Sequence, residues 1–165
     1  MTTQNVLDTI AFEGPRIMFF VTLLSIWRET KFLLAFPVGF VANIFLNKFL
    51  KNVFREPRPP SLHNLGSLDN IHNYQGVEIY GMPSGHAQSI FFSLSYLFFV
   101  KKSNVVLMAT LFLAMATLYQ RWFYGRHSVE QLFIGSLVGL GFAYVWVWGI
   151  QHVQFPYFNK NIHMQ

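Results

Sequence analysis

Cysteine is absent from the 165 residues, which excludes a disulfide-stapled secreted module. Charge is scarce as well. Only 12% of the chain is Asp, Glu, Lys or Arg, about half of the ~25% usual for a soluble domain. Basic residues exceed acidic ones, 12 to 7, but form no dense run. The net charge of +5 therefore points less to nucleic acid than to a membrane surface or a phosphate-bearing ligand. Residues 1–13 carry acids without a basic cluster and do not read as a secretory signal. No internal repeat is present. What fills the chain is apolar: 53% hydrophobic residues and 18% aromatic, including 19 Phe. That content excludes disorder. The length suggests one domain over residues 1–165, and the composition is that of a membrane protein.

Uncharged stretches cover residues 17–27, 32–47, 82–100, 103–120 and 131–151. A hydrocarbon core of ~30 Å takes roughly 20 helical residues, ~17 at the least. The last two stretches reach that outright. Residues 32–47 reach it when continued past Lys48 to about Val53, through the apolar Phe49 and Leu50. Residues 17–27 are too short alone; they either extend backwards through Val6, Ile10 and Phe12 or lie at the interface. The expected fold class is all-α, an integral membrane helical bundle of about five membrane-embedded helices. One long polar segment, residues 57–81, is rich in Pro, Asn, Gly and Ser and reads as an active-site loop. Its His63 and His72 read as solvated. Gly135 and Gly139 suit close helix packing, either with a second chain or within this one. Alternating crossings then bring the loop, the helix start near Gly85 and residues 121–127 to a single membrane edge.

Three polar clusters meet there. In the first, Lys51-Asn-Val-Phe-Arg-Glu-Pro-Arg58-Pro59, the prolines bar a regular helix, so Lys51 ends one and Arg58 swings back from an extended turn. Arg presents a planar fork to phosphate oxygens and Lys a point charge. Anchoring of a helix end at the headgroups is the alternative. The second, Gly81-Met-Pro-Ser84-Gly85-His86-Ala87, signals a helix start whose unpaired amides suit an anion, with Ser84 adding a hydroxyl donor and Gly85 allowing close approach. Its alternative is a plain N-cap with a neighbouring His. In the third, Arg121-Trp-Phe-Tyr-Gly125-Arg126-His127-Ser-Val-Glu-Gln131, Gly125 breaks the chain and His127 opens the last helix. Gln131 lies four residues on, where its carbonyl can accept from the His127 Nδ1–H and leave Nε2 reactive. Interfacial anchoring by Arg121 and Arg126 is the alternative.

Taken together, Lys-x6-Arg-Pro, Pro-Ser-Gly-His and Arg-x5-His resemble the three signature motifs of the phosphatidic acid phosphatase type 2 superfamily, over about residues 48–145. Residues 51–59 and 80–88 look most like the dolichyl-diphosphatase branch. Two positions depart from the usual pattern. Gln120 stands where Ser often precedes the Arg, and Gln131 where most members place Asp.

The resemblance implies metal-independent hydrolysis through a phosphohistidine, with no cofactor. It casts His127 as nucleophile, His86 as acid and then base, and Gln131 as the residue orienting His127. Lys51, Arg58, Ser84, Gly85 and Arg121 would hold the phosphate. The implied partners are membrane lipids and a lipid phosphate or diphosphate, a dolichyl-type diphosphate foremost. No nucleic-acid partner is implied. A phosphatidate or broad lipid-phosphate phosphatase is the alternative enzyme; a non-catalytic lipid-binding protein with a relict site is the alternative of another class. In a eukaryote the resemblance places the chain in the endoplasmic reticulum membrane, its site facing the lumen or outside.

Overall fold

The computed structural model describes residues 3–60 and 76–152. The elements run α1 (Thr3–Phe12), α2 (Gly14–Ser25), α3 (Thr30–Phe54), a 3-10 turn (Gly76–Ile79), α4 (Gly85–Lys101), α5 (Asn104–Phe123) and α6 (Val129–His152). Among the described residues no strand forms, and Pro57 and Tyr80 make an isolated bridge. The all-α bundle is thus as expected. Helices α3, α5 and α6, with 25, 20 and 24 residues, are long and apolar enough to cross a membrane. At 1.5 Å per residue each reaches ~30 Å. The centre of the polar loop, with His63 and His72, lies outside the described residues, so the loop is seen at its two ends.

Local chemistry sets the helix ends. The Ser84 and Ser103 hydroxyls cap α4 and α5, accepting from the N–H groups of Ala87 and Val106. Arg55 and Lys102 close α3 and α4 in the left-handed conformation, their N–H groups bonding the Lys51 and Phe98 carbonyls. Residues 17–27 do not lengthen α1 into one rod: the chain breaks at Glu13, and Pro15 sits in the first turn of α2. Helix α2 buries Met18 beside Ile90, Leu94 and Ala114, while α1 packs on α5. The Tyr124 hydroxyl, at the foot of α5, donates to the Asp8 carboxylate of α1.

Helix α4 is the core of the bundle, packed by α2, α3, α5 and most extensively α6. The α4–α6 approach is close because α6 presents glycines. A Cβ on Gly139 would lie 2.2 Å from the Gln88 carbonyl oxygen, and one on Gly135 2.7 Å from that of Ser84. The two glycines therefore serve a contact within the chain. On α3, Phe36 stacks on Phe92 and meets Tyr96, whose hydroxyl donates to the Phe32 carbonyl at 2.7 Å. A buried amide ladder joins α3 to α4. Asn47 Nδ2 donates to Gln88 Oε1 at 2.8 Å, and Gln88 Nε2 donates to Asn43 Oδ1 at 2.9 Å.

Polar side chains are buried beside this apolar core, while the exterior is largely apolar. Asn43, Gln88, Ser93, Thr117 and Gln120 are buried, whereas Leu34, Phe45, Phe112, Phe133 and Trp148 are exposed. In water such an exterior would be adhesive; in hydrocarbon, with polar side chains such as these turned inward, it is the favourable arrangement. This is an integral membrane protein.

Candidate active site

The site lies where α3 and α5 end and α4 and α6 begin. Past Arg55 the chain runs extended through residues 56–58, held by the Pro57–Tyr80 bridge and by the Gly81 N–H on the Glu56 carbonyl at 2.7 Å. This pairing carries Arg58 back over the bundle end, as the prolines predict. Lys51, in the last turn of α3, is 1% exposed and donates to the Tyr80 carbonyl at 2.5 Å. The Arg58 guanidinium donates to the carbonyls of Glu78 (2.9 Å) and Arg126 (2.9 Å) and to His127 Nε2 (3.1 Å).

Ser84 is wholly buried, its hydroxyl in the capping contact and its N–H on the Gln131 carbonyl at 3.0 Å. That last bond ties the start of α4 to the start of α6. His86, one residue into α4 after Gly85, is half-buried. Its ring lies 5.5 Å from that of Phe12, and the buried Arg121 guanidinium sits 5.6 Å from the same Phe12 ring. A cavity of about 510 Å³ opens beside His86, bordered by Phe12, Asn47, Lys48, Glu78 and Gly85.

His127 differs in one respect from expectation: it precedes α6 instead of opening it. After Gly125, at φ 63°, the helix is started by Ser128. Its hydroxyl accepts from the Gln131 N–H at 3.2 Å, and Gln131 Oε1 accepts in return from the Ser128 N–H at 3.3 Å. This reciprocal pair is a capping box, and the spacing Ser128-x-x-Gln131 is its sequence signal. The same Oε1 faces His127 Nδ1 at 3.2 Å.

The two backbone partners of Gln131 decide its amide orientation. The Ser128 N–H needs an oxygen, and the Pro57 carbonyl, 2.9 Å from Nε2, needs a donor. Oε1 therefore points at His127, and Nδ1 must carry the hydrogen. Arg58 can only donate, so Nε2 is the acceptor. Both contacts specify one tautomer, Nδ1–H with a lone pair on Nε2. Burial foremost, then the Arg58, Arg121 and Lys51 cations and His86, hold the imidazole well below the usual histidine pKa range. Burial and these cations both favour the neutral ring.

The structure thus brings Lys51, Arg58, Gly85, His86, Arg121, His127 and Gln131 to one end of the bundle, with Ser84 beneath them. Three further residues belong to the assembly. Glu78 places its carboxylate 3.5 Å from Lys51 Nζ and 4.0 Å from Arg58. Phe12 covers His86 and Arg121 from α1. Glu56 reaches Gln131. No motif spacing announces these three, since each depends on contacts far apart in the chain. Among the described residues no three His, Asp or Glu side chains converge as a metal site requires.

Residues 32–154 match the PAP2 superfamily. The chain is 30% identical over 160 residues to human dolichyldiphosphatase 1, covering 87% of this chain and 63% of that one. It is 28% identical over 148 residues to dolichyldiphosphatase 1 of Dictyostelium discoideum, covering 83% and 60%. Lipid phosphate phosphatase gamma of Arabidopsis thaliana is 28% identical over 134 residues, covering 74% and 55%. The chain thus spans about 55–63% of the length of these curated relatives. No solved structure matches. The match across most of the chain, on the segment that builds this site, makes the chain a member of the PAP2 superfamily.

Proposed function

We propose that the chain is a membrane phosphatase that hydrolyses a polyprenyl diphosphate of the dolichyl type through a phosphohistidine, without a metal. One observation carries this reading: a buried, neutral His127 held as the Nδ1–H tautomer, with Nε2 among Lys51, Arg58 and Arg121. Nε2 attacks phosphorus as the phosphorus–oxygen bond to the lipid phosphate breaks, and His86 gives its proton to the departing oxygen. Water then attacks the phosphohistidine, His86 takes a proton from it, the phosphorus–nitrogen bond breaks, and inorganic phosphate leaves. Lys51, Arg58 and Arg121 meet the charge of the five-coordinate transition state, helped by the Gly85 and His86 amides and the Ser84 hydroxyl at the start of α4.

The position at helix ends suits a phosphate at headgroup depth whose tail stays in hydrocarbon. An apolar groove of about 500 Å³ between α5 and α6, from Trp122 and Val129 to Leu137 and Leu140, offers that tail a wall. The dolichyldiphosphatase relatives favour a diphosphate; the motif resemblance suggests, in a eukaryotic cell, an endoplasmic reticulum membrane with the site facing the lumen or the outside. The plant lipid phosphate phosphatase supports a second reading, a broad lipid-phosphate phosphatase.

Phosphate release in detergent micelles tests both. Dolichyl diphosphate, undecaprenyl diphosphate, phosphatidate and glucose 6-phosphate are compared with and without EDTA, beside His127→Ala. The expected result is EDTA-insensitive turnover of the polyprenyl diphosphates, abolished in His127→Ala. Equal turnover of phosphatidate establishes the second reading; turnover that survives His127→Ala or ceases with EDTA overturns the mechanism.

A further inference from the structure

We propose that Glu56 is a positioning residue for His127, acting through the Gln131 amide and supplying the negative charge that Gln131 cannot. The inference rests on the reading of His127 as nucleophile and deepens it. When Nε2 bonds to phosphorus while Nδ1 keeps its hydrogen, the ring becomes a cation. Directly bonded Gln131 is neutral. Among the described residues, the charged or titratable groups that act on His127 are Lys51 from α3, Arg58 from the loop, His86 from α4 and Arg121 from α5, all cationic or able to be so. Among the described residues, the other carboxylates nearby are Glu78, engaged by Lys51 and Arg58, and Glu130, exposed on α6.

Glu56 remains. Its Oε1 accepts from Gln131 Nε2 at 2.7 Å, the shortest of the four bonds that the amide makes. Because the Ser128 N–H and the Pro57 carbonyl fix which end of the amide is which, the carboxylate can face only the N–H end, and His127 only the carbonyl end. The chain Glu56 carboxylate, Gln131 amide, His127 Nδ1–H is therefore polarised in one direction, each bond strengthening the next. Glu56 is held for the task by its own backbone, through its carbonyl on the Gly81 N–H at 2.7 Å. An amide has been inserted between the imidazole and its carboxylate.

Kinetics of the whole chain in detergent, with dolichyl diphosphate, decide the matter. Glu56→Gln keeps the acceptor and removes the charge. The expected result is a fall in kcat of ~10-fold with KM within threefold. The acid limb of kcat/KM moves to lower pH, because His127 loses its one relayed anion. A packing role alone leaves that limb where it is. Glu56→Asp keeps the charge and retains the wild-type limb, and Glu56→Gln/Gln131→Ala is no slower than Gln131→Ala, since the relay is already cut. If Glu56→Gln fails to fold, the limb of Glu56→Asp serves instead: a shift there overturns the proposal, as does an unmoved limb with near-wild-type kcat in Glu56→Gln. His127→Ala runs alongside. Retained turnover in that variant overturns the nucleophile and this inference together, whereas an inactive His127→Ala beside an unaltered Glu56→Gln removes the relay alone.

Discussion

Adding one methyl group to a residue without a side chain should slow this protein severely. Gly81 is buried against the Gln131 amide, and a Cβ there would stand 2.3 Å from Oε1, 2.5 Å from Nε2 and 2.6 Å from Cδ. Ordinary contact begins at 3.4 Å, so in Gly81→Ala the amide must retreat by about 1.1 Å. The backbone has little room to yield, because the Gly81 N–H is bonded to Glu56 and the neighbouring Tyr80 carbonyl to Lys51. A retreat of that size takes the 3.2 Å contact with His127 Nδ1 out of hydrogen-bond range. A ~1 Å misplacement passed on to a reacting group costs up to ~10²-fold in rate. The expected loss is about 10- to 100-fold in kcat, or ~1.4–2.7 kcal/mol of transition-state stabilisation, with KM little changed. The assay is steady-state phosphate release from dolichyl diphosphate, with a thermal melt as a folding control. Gly81→Ala/Gln131→Ala should be no slower than Gln131→Ala, because both act on one contact. A Gly81→Ala variant within threefold of wild-type kcat refutes the reasoning, as does a double variant whose loss is the product of the two singles.

Stability should depend on pH through His127. A histidine whose folded pKa is depressed contributes stability that is complete above the unfolded value of ~6.5 and lost as pH falls through the folded value. The melting temperature in detergent should therefore fall from pH 7 to pH 5, and His127→Gln should flatten that slope; an equal slope in both proteins counts against a buried neutral ring. At the α4–α6 contact, Gly139→Ala drives a methyl to 2.2 Å from a main-chain carbonyl that cannot rotate away. Overpacking of this kind costs ~1–3 kcal/mol, so thermal or denaturant unfolding should report a clear loss. An unchanged melting temperature rules out the close approach.

The helices long and apolar enough to cross a bilayer were legible because length and apolar content suffice for them: α5 and α6 follow the uncharged stretches to within three residues, and α3 follows residues 32–47 with their continuation past Lys48. Helix α2 was harder, since a chain of 12 helical residues looks the same inside a bundle or along its surface until Met18 meets Ile90. The contact between His127 and Gln131 could be read from their separation of four, yet the helix begins later than that reading requires. Ser128 takes the cap instead, and its signal was there in Ser-x-x-Gln. Glu56, Glu78 and Phe12 were out of reach for a different reason. Glu56 and Gln131 are 75 residues apart, and no local periodicity encodes a bond across that distance. The pairing of Glu56 and Pro57 with Gly81 and Tyr80, together with the bond from the Ser84 N–H to the Gln131 carbonyl, brings the two together.

The amide ladder between α3 and α4 sets a depth gauge. Sliding one helix along the other by a single residue, ~1.5 Å, would stretch and bend these rungs and weaken the pairing of buried amides. Lys51 at one helix end and Ser84 at the other are thus pegged to a common level. A thicker or thinner bilayer is then met more readily by leaning the whole assembly or deforming the bilayer than by shear between these two helices. The residues gathered at this end of the bundle thus keep their relative heights when the assembly leans.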